Sequence, residues 1–174
     1  SIAPDNPKYW RLIPEQSGGG ALMDVGSHRL DLACYFLGDP EEVTGYADSL
    51  DRADDMQVAD TECLLARMES GAHVHCTASW AISSRADDLI IRGTEGTIVA
   101  RPYDQAPLVL LRGGEQEQFD LPPAENWHSP LIDDFTRALL EGREPEFTGR
   151  DGLQASRMME GCYRSSETGR TVEV

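Results

Sequence analysis

Short β-rich segments fill the middle of the chain, and the turns between them are too short to contain a helix. Ser70-Gly71, residues 93–96 and Gly113-Gly114 are such turns. Parallel strands need a crossover of about a dozen residues, whereas antiparallel strands can be joined by a two-residue hairpin. The sequence therefore predicts a mostly antiparallel open sheet of about six or more strands and excludes a doubly wound parallel fold. The predicted strands are residues 43–48, 61–68, 72–80, 88–92, 97–101, 108–112 and 116–121.

Helical patterns lie on both sides of this β-rich region. A helix over residues 20–37 is predicted by apolar residues that fall largely at three- and four-residue steps, namely Leu22, Val25, Leu30, Ala33 and Leu37. Gly38 follows as a stop signal. The sequence therefore predicts an α+β fold, with helices packed on one face of the sheet.

Two further helices and a last strand are predicted after the sheet. Ser129 as cap and Pro130 at the first helical position begin a helix that ends at Gly142 and places Leu131, Phe135, Ala138 and Leu139 on one face. Thr148 and Asp151 form a capping-box pattern for a helix to about residue 168. Residues 171–174 predict a short strand.

One domain accounts for the whole length of 174 residues. Residues 1–17 are interpreted as a leading segment in which Pro4, Pro7 and Pro14 exclude regular structure. The sheet face opposite the helices is either solvated or the interface of a homo-oligomer, and composition favours neither.

Charge excludes two classes of partner. The chain has 31 acidic and 15 basic residues and a formal net charge of -16, so nucleic acid and anionic membranes would repel it. No apolar run is long enough for a membrane span, and no signal peptide is evident. The four cysteines lack C-x-x-C spacing, which favours reduced, buried thiols in a cytoplasmic protein, although an even number also permits two disulfides.

The strongest candidate for chemistry is an Asp and His pair in the first helix. Asp24 and His28 are four residues apart and so share a helix face, with Asp31 one turn further along. A carboxylate beside an imidazole can fix the tautomer of the ring, which suits a general base. Gly26 is interpreted as leaving space for a ligand or another backbone. The alternative, a partly buried structural His held by two acids, remains open.

Other motifs are weaker. The glycines at 18–20 do not fit a dinucleotide fingerprint, because Met23 and Val25 stand where glycine is needed. They are interpreted as a tight turn into the helix, whose exposed amides could favour an anionic or hydroxyl-rich ligand. His73 and His75 lack metal-ligand spacing, so no metal is expected. A metal-dependent hydrolase using His28, His73 and Asp24 remains a minor alternative.

Three motifs together resemble a known family. They are Trp10-Arg11 followed by G-G-G-A-L-M-D-V-G-S-H-R-L-D, the segment R-G-T-E-G-T at 92–97, and the stretches at 149–152 and 165–170. In this order they resemble the C-terminal domain of the Gfo/Idh/MocA oxidoreductases, the glucose-fructose oxidoreductase and inositol dehydrogenase family.

This resemblance implies a protein of two domains. An N-terminal Rossmann domain would bind NAD or NADP and carry the catalytic lysine, and the present α+β domain would close the substrate site and supply the oligomer interface. The chain is expected to contain only the second domain and to be inactive alone. The implied activity is NAD(P)-dependent oxidation or reduction of a sugar, polyol or inositol-type substrate.

The resemblance also implies roles for individual residues. His28 would accept the proton of a substrate hydroxyl, a role that requires a pKa near neutrality. Asp24 would bind a substrate hydroxyl and orient His28, while Asp31 would give structural support. Trp10 and Arg11 would border the cofactor or the substrate. An alternative of a different class is a non-catalytic assembly or binding module of the same fold.

Overall fold

A computed structural model describes residues 5–50, 57–84, 86–103, 107–122 and 125–174. The chain divides into two compact units, one made of residues 1–83 with 148–174 and the other of residues 84–147. Within the described residues, the strands form two antiparallel sheets of four strands each. The α+β class and the antiparallel pairing are therefore confirmed.

The first unit contains a sheet in the order β3-β2-β1-β8, in which every neighbouring pair is antiparallel. Its strands are β1 (Pro40–Asp48), β2 (Thr61–Met68), β3 (His73–Ser79) and β8 (Val172–Glu173). Between β2 and β3 the chain turns at Gly71, whose φ of 82° is in the left-handed region that favours glycine. On β3, Val74 and Ala78 are buried while His73, His75 and Thr77 are exposed, as the alternating pattern predicts.

Helices of the first unit pack on one face of this sheet, as predicted. They are a 3-10 turn (Tyr9–Leu12), α1 (Pro14–Ser17), a π-helical turn (Leu22–Gly26), α2 (Ser27–Leu37) and α4 (Gly149–Thr168). A Cβ atom added to Gly45 would come within 2.5 Å of the Cys162 sulfur, and one added to Gly161 would come within 3.2 Å of the Val43 Cβ. These two glycines therefore allow α4 to approach β1 closely.

The leading segment is more regular than the sequence predicts. Residues 1–17 are predicted to lack regular structure, yet Tyr9–Leu12 and Pro14–Ser17 form two short helical turns, while Pro4 lies outside the described residues. Pro14 occupies the start of α1, where its missing amide hydrogen costs no helical hydrogen bond. Pro14 therefore begins a helix instead of excluding one.

The second unit contains the sheet order β4-β5-β6-β7, in which each strand pairs with the next along the chain. Its elements are β4 (Leu89–Arg92), β5 (Thr97–Ala100), β6 (Leu108–Arg112), β7 (Glu115–Phe119) and the helix α3 (Ser129–Glu141). Because β3 and β4 are joined by more residues than a hairpin turn contains, they need not pair. The strands consequently belong to two sheets, and the predicted single sheet of six or more is corrected.

Two details of α3 differ from the sequence prediction. Ser129 is the first helical residue rather than the cap, because His128 occupies the cap position and makes no side-chain cap hydrogen bond. Of the predicted inward face only Ala138 is buried, while Leu131, Phe135 and Leu139 remain at least half exposed. Periodicity shows which side chains share a face, but it does not supply a surface that covers them.

The helix α4 begins as predicted, with the capping box. Thr148 accepts a hydrogen bond from the Arg150 amide, and the Asp151 carboxylate accepts one from the Thr148 amide at 2.6 Å. Gly142 and Gly169 follow α3 and α4 in left-handed conformations, which confirms both predicted ends.

All four cysteines are free thiols. Burial raises the pKa of Cys34 and Cys76 to about 11 and that of Cys162 to about 12, so these three remain protonated at neutral pH. Within the described ranges, no helix combines the length and apolarity needed to cross a membrane.

Candidate active site

Asp24 lies in the π-helical turn Leu22–Gly26 and His28 in the helix α2 that follows it. Leu22, Gly26 and Leu30 are buried and follow one another at four-residue steps. Val25, which the apolar pattern places on the inner face, is instead 47% exposed. Because residues four apart lie on the same face of a helix, Leu22, Gly26 and Leu30 face the core together. Asp24 and His28 are also four residues apart, and they share the face of the helix that points away from the core.

Of the two alternatives for Gly26, a ligand or another backbone, the structure favours the second. A Cβ atom added at this position would lie 2.6 Å from the Leu22 Cδ1 atom and 3.3 Å from the Ala78 Cβ atom. Gly26 therefore faces β3 and lets the helix lie close to the sheet.

A cavity of about 220 Å³ lies beside this helix, within the first unit. It combines two indole rings with hydroxyl and charged groups, the mixture typical of small-ligand sites. The lining residues are Trp10, Arg11, Ser17, Gly19, Met23, Asp24, Ser27, His28 and Trp80. Four of the residues singled out in the sequence are thus brought together: Trp10, Arg11, Asp24 and His28.

Arg11 and Asp24 form an ion pair across the cavity wall. The Arg11 Nη1 atom donates to the Asp24 Oδ2 atom at 2.8 Å, and the two side chains are 29% and 22% exposed. The Arg11 guanidinium also lies 5.7 Å from the ring centre of Trp10, within cation–π range. A partly buried charged pair with a second contact is better defined than an exposed surface pair.

His28 presents its ring to solvent at the same wall. It is an exposed residue, and among the described contacts its side chain has no hydrogen-bond or ion-pair partner. The hydrogen bond described for the Asp24 carboxylate goes to Arg11 rather than to His28. Asp31 is exposed and does not line the cavity. The His28 ring nitrogens are consequently open to a bound ligand.

Backbone amides at the end of the glycine run and just after it are hydrogen-bonded within the protein rather than exposed. The Gly20 amide donates to the Tyr163 hydroxyl at 3.1 Å, and the Leu22 amide donates to the Glu62 Oε2 atom at 3.2 Å. The interpretation that these helix-start amides are open to a ligand is therefore wrong for Gly20 and Leu22. A Cβ atom on Gly20 would lie 1.7 Å from the Ala59 carbonyl oxygen, so only glycine fits there.

Glu62 is a functional candidate that the sequence analysis missed. It lies on β2 with no exposed surface, and burial raises its pKa to about 7 despite a hydrogen bond from Tyr163 at 3.0 Å. Strand alternation could have found it, since residues 62, 64, 66 and 68 point the same way and the last three are apolar.

The histidines on β3 stand apart from this cavity. His73 and His75 are exposed and do not line it. In the described part of the chain, no group of three or more His, Cys, Asp or Glu side chains could hold a metal ion. The His28, His73 and Asp24 combination of the hydrolase alternative is therefore not assembled around the cavity.

The chain contains an α+β domain with a cavity lined by aromatic, hydroxyl and charged side chains. The sequence pattern of the GFO/IDH/MocA C-terminal domain matches residues 2–99, more than half of the chain. The chain belongs to this family, which confirms the resemblance of its motifs.

Individual relatives agree with this membership. The chain is 28% identical over 179 residues to D-xylose 1-dehydrogenase [NADP(+)] of Haloarcula marismortui, covering 99% of this chain and 49% of that protein. It is 27% identical to 1,5-anhydro-D-fructose reductase of Ensifer adhaerens, covering 98% and 52%. The crystal structure of aldose-aldose oxidoreductase from Caulobacter crescentus, complexed with glycerol, superimposes with a TM-score of 0.84 at 30% identity, covering 99% and 53%. The chain thus spans about half the length of these sugar oxidoreductases.

Proposed function

We propose that this chain is the substrate-side domain of an NAD(P)-dependent oxidoreductase that acts on a sugar, polyol or inositol-type hydroxyl. The observation that carries the proposal is the cavity in which Arg11, Asp24 and His28 meet. Its partner within the protein would be an N-terminal Rossmann domain. Residues 1–174 would act as one substrate-binding and oligomerisation domain, with residues 1–17 leading into it.

The size of the cavity fits a small substrate. Pockets for drug-sized ligands are about 300 Å³ or larger, and this cavity is about 220 Å³. A monosaccharide or polyol suits that volume, whereas a whole dinucleotide does not. Trp10 and Arg11 would therefore touch only the nicotinamide end of NAD or NADP, or the substrate itself.

In the proposed mechanism, His28 is the general base. Its ring nitrogens have no protein partner among the described contacts, so one of them can accept the proton of a substrate hydroxyl. The carbon that bears this hydroxyl would then lose a hydride, so that the C–OH group becomes a carbonyl. A bound nicotinamide supplies the hydride acceptor for such a reaction.

Asp24 and Arg11 would position the substrate. The ion pair occupies the Asp24 Oδ2 atom, and the other carboxylate oxygen can accept from a sugar hydroxyl. The contact with Arg11 limits rotation of the carboxylate. This arrangement orients a hydroxyl toward His28 without requiring a direct Asp24–His28 hydrogen bond.

The proposed activity is tested with the full-length protein and with this chain alone. Full-length protein is expected to reduce NADP+ or NAD+ with a panel of aldoses, polyols and inositols that includes D-xylose. This chain alone is expected to show no turnover and no measurable binding of NADH or NADPH by fluorescence titration. Failure of the full-length protein to turn over any member of the panel would contradict the activity. Turnover by the chain alone would contradict its dependence on a second domain.

We also propose a homo-oligomer through the open face of the β3-β2-β1-β8 sheet. Tyr46 and Leu65 project from that face and are 65% and 53% exposed, which is unusual for large apolar side chains on a two-sided sheet. This observation also favours the second candidate function, a non-catalytic assembly module. The four free thiols support a reducing, cytoplasmic location.

Leu65→Glu is expected to convert the oligomer to a monomer, because it would bury a carboxylate in the interface without a partner. Light scattering of the full-length protein measures the change in mass. Leu50→Glu, at another exposed leucine outside the sheet, is the matched control and should leave the mass unchanged. A wild-type protein that is monomeric at high concentration would remove the interface proposal.

A further inference from the structure

A buried polar network lies directly behind the cavity wall. Glu62 on β2 accepts from the Tyr163 hydroxyl at 3.0 Å through Oε1 and from the Leu22 amide at 3.2 Å through Oε2. The Tyr163 oxygen in turn accepts from the Gly20 amide at 3.1 Å. Both Glu62 oxygens and both ends of residues 20–22 are therefore engaged in one network.

A backbone hydrogen bond and a close contact connect this network to the cavity. The Asp24 amide donates to the Gly20 carbonyl at 3.2 Å, so the backbone that presents Asp24 is hydrogen-bonded to the residue that Tyr163 holds. Gly19 and Met23 line the cavity, and a Cβ atom on Gly19 would lie 2.3 Å from the Tyr163 oxygen. Movement of Tyr163 would thus change the cavity wall as well as the turn.

A carboxylate at an inward-facing strand position lowers the stability of the fold unless hydrogen bonds compensate for its burial. Its neighbours on that face are Leu64, Ala66 and Met68, all buried, and an ionised group loses its hydration there. An apolar residue would fill the position without that cost. An apolar residue could not, however, accept from both Leu22 and Tyr163.

We propose that Glu62 is a positioning residue, which together with the Tyr163 hydroxyl holds the turn at Gly20–Leu22 and thereby sets the place of Asp24 in the cavity. The inference rests on the proposed function insofar as Asp24 binds substrate. The carboxylate is the form that accepts both hydrogen bonds. A protonated Glu62 would need to donate one of them, which would displace the Tyr163 proton.

The groups that face Glu62 are mostly neutral or acidic. They are Asp60, which directly precedes β2, Tyr163 and Cys162 on α4, and Cys76 on β3. Burial is the main cause of its raised pKa of about 7, and Asp60 adds to it. Glu62 therefore changes its charge in the folded protein near neutral pH.

The sign of the pH effect on stability follows from that shift. The ordinary pKa is 4.5 and the folded value about 7, so between these values the folded state binds more protons than the unfolded state. Stability from Glu62 is full below the unfolded pKa, falls as the pH rises toward 7 and is flat above it. Relative to Glu62→Gln, wild-type Tm should fall by roughly 5 to 10 °C from about pH 5 to about pH 8.

The decisive measurement combines nuclear magnetic resonance of this chain with kinetics of the full-length protein. In wild type, the Asp24 carboxyl carbon and the Leu22 amide should shift with a midpoint near the Glu62 pKa, and Glu62→Gln should abolish that shift. With D-xylose or the best substrate of the panel, Glu62→Ala and Tyr163→Phe should lower kcat/KM by about tenfold. Glu62→Gln, which keeps an acceptor for Leu22, should recover most of the loss, and the KM for the cofactor should not change.

Each outcome bears on the proposal. An Asp24 signal that ignores the Glu62 titration, or variants that lose Tm but keep kcat/KM and its pH profile, would overturn it. If Glu62→Ala does not fold, Glu62→Gln and Tyr163→Phe still decide the question. Should Asp24 follow Glu62 while the full-length protein turns over no member of the panel, the positioning of Asp24 would stand and the proposed function would fall.

Discussion

Replacement of His28 by alanine in the full-length protein is expected to lower turnover by about 10²- to 10⁴-fold, the usual contribution of a positioned general base. His28 is exposed at the cavity wall and lies four residues from Asp24. Its side chain has no described partner, so its loss breaks no hydrogen bond and should scarcely affect folding. The variant should therefore lose kcat while its Tm remains close to that of wild type.

Steady-state kinetics and cofactor titration measure this effect. The affinity for NADH or NADPH should change much less than kcat, because the base acts on the substrate hydroxyl. His73→Ala provides the matched control, since His73 is also an exposed histidine but does not line the cavity. Wild-type turnover of the His28→Ala protein would refute the base assignment.

Gly20→Ala is expected to destabilise the chain by about 3 kcal/mol or more, at the upper end of the range for overpacked sites. The new Cβ would lie 1.7 Å from the Ala59 carbonyl oxygen and 2.5 Å from the Glu62 Oε1 atom. The first of these is a backbone atom and cannot rotate away, so the loop or the helix start must move. A fall in Tm of roughly 10 °C follows for a chain of this length.

Thermal and denaturant unfolding measure the loss of stability, and a glycine at which an added Cβ meets no other atom provides the control. Gly152 lies in α4, is exposed and has no atom within 4 Å of an added Cβ. Gly152→Ala should therefore stabilise the chain by about 0.5–1 kcal/mol through helix propensity. Equal effects of the two substitutions would show that the close approach at Gly20 does not exist.

Local patterns in the sequence predict most elements of this fold. The alternation on β3, the capping box of α4 and the glycines that end the helices each act within a few residues, and the structure shows all three. The Asp24 and His28 pair could also be predicted to share a face, because one helical turn separates them.

Features that depend on distant contacts could not be predicted in the same way. Gly26 faces Ala78 rather than a ligand because this side of the helix packs on β3, and a local pattern does not show which element covers a helix face. The partner of Asp24 is Arg11, thirteen residues earlier in the chain. The burial of Glu62 requires that α4 bring Tyr163 to β2, a contact between positions about a hundred residues apart.

The two residues of the Arg11–Asp24 ion pair lie in elements that are held in place differently. One partner of the Arg11–Asp24 ion pair comes from a short 3-10 turn, while the other comes from the helix start that Glu62 and Tyr163 secure. A substitution at residue 11 would therefore alter the cavity wall without disturbing the network that supports Asp24. In the proposed substrate site, the residue at position 11 would then determine which hydroxyl groups that side of the cavity accepts, while the acidic group of Asp24 stays in place.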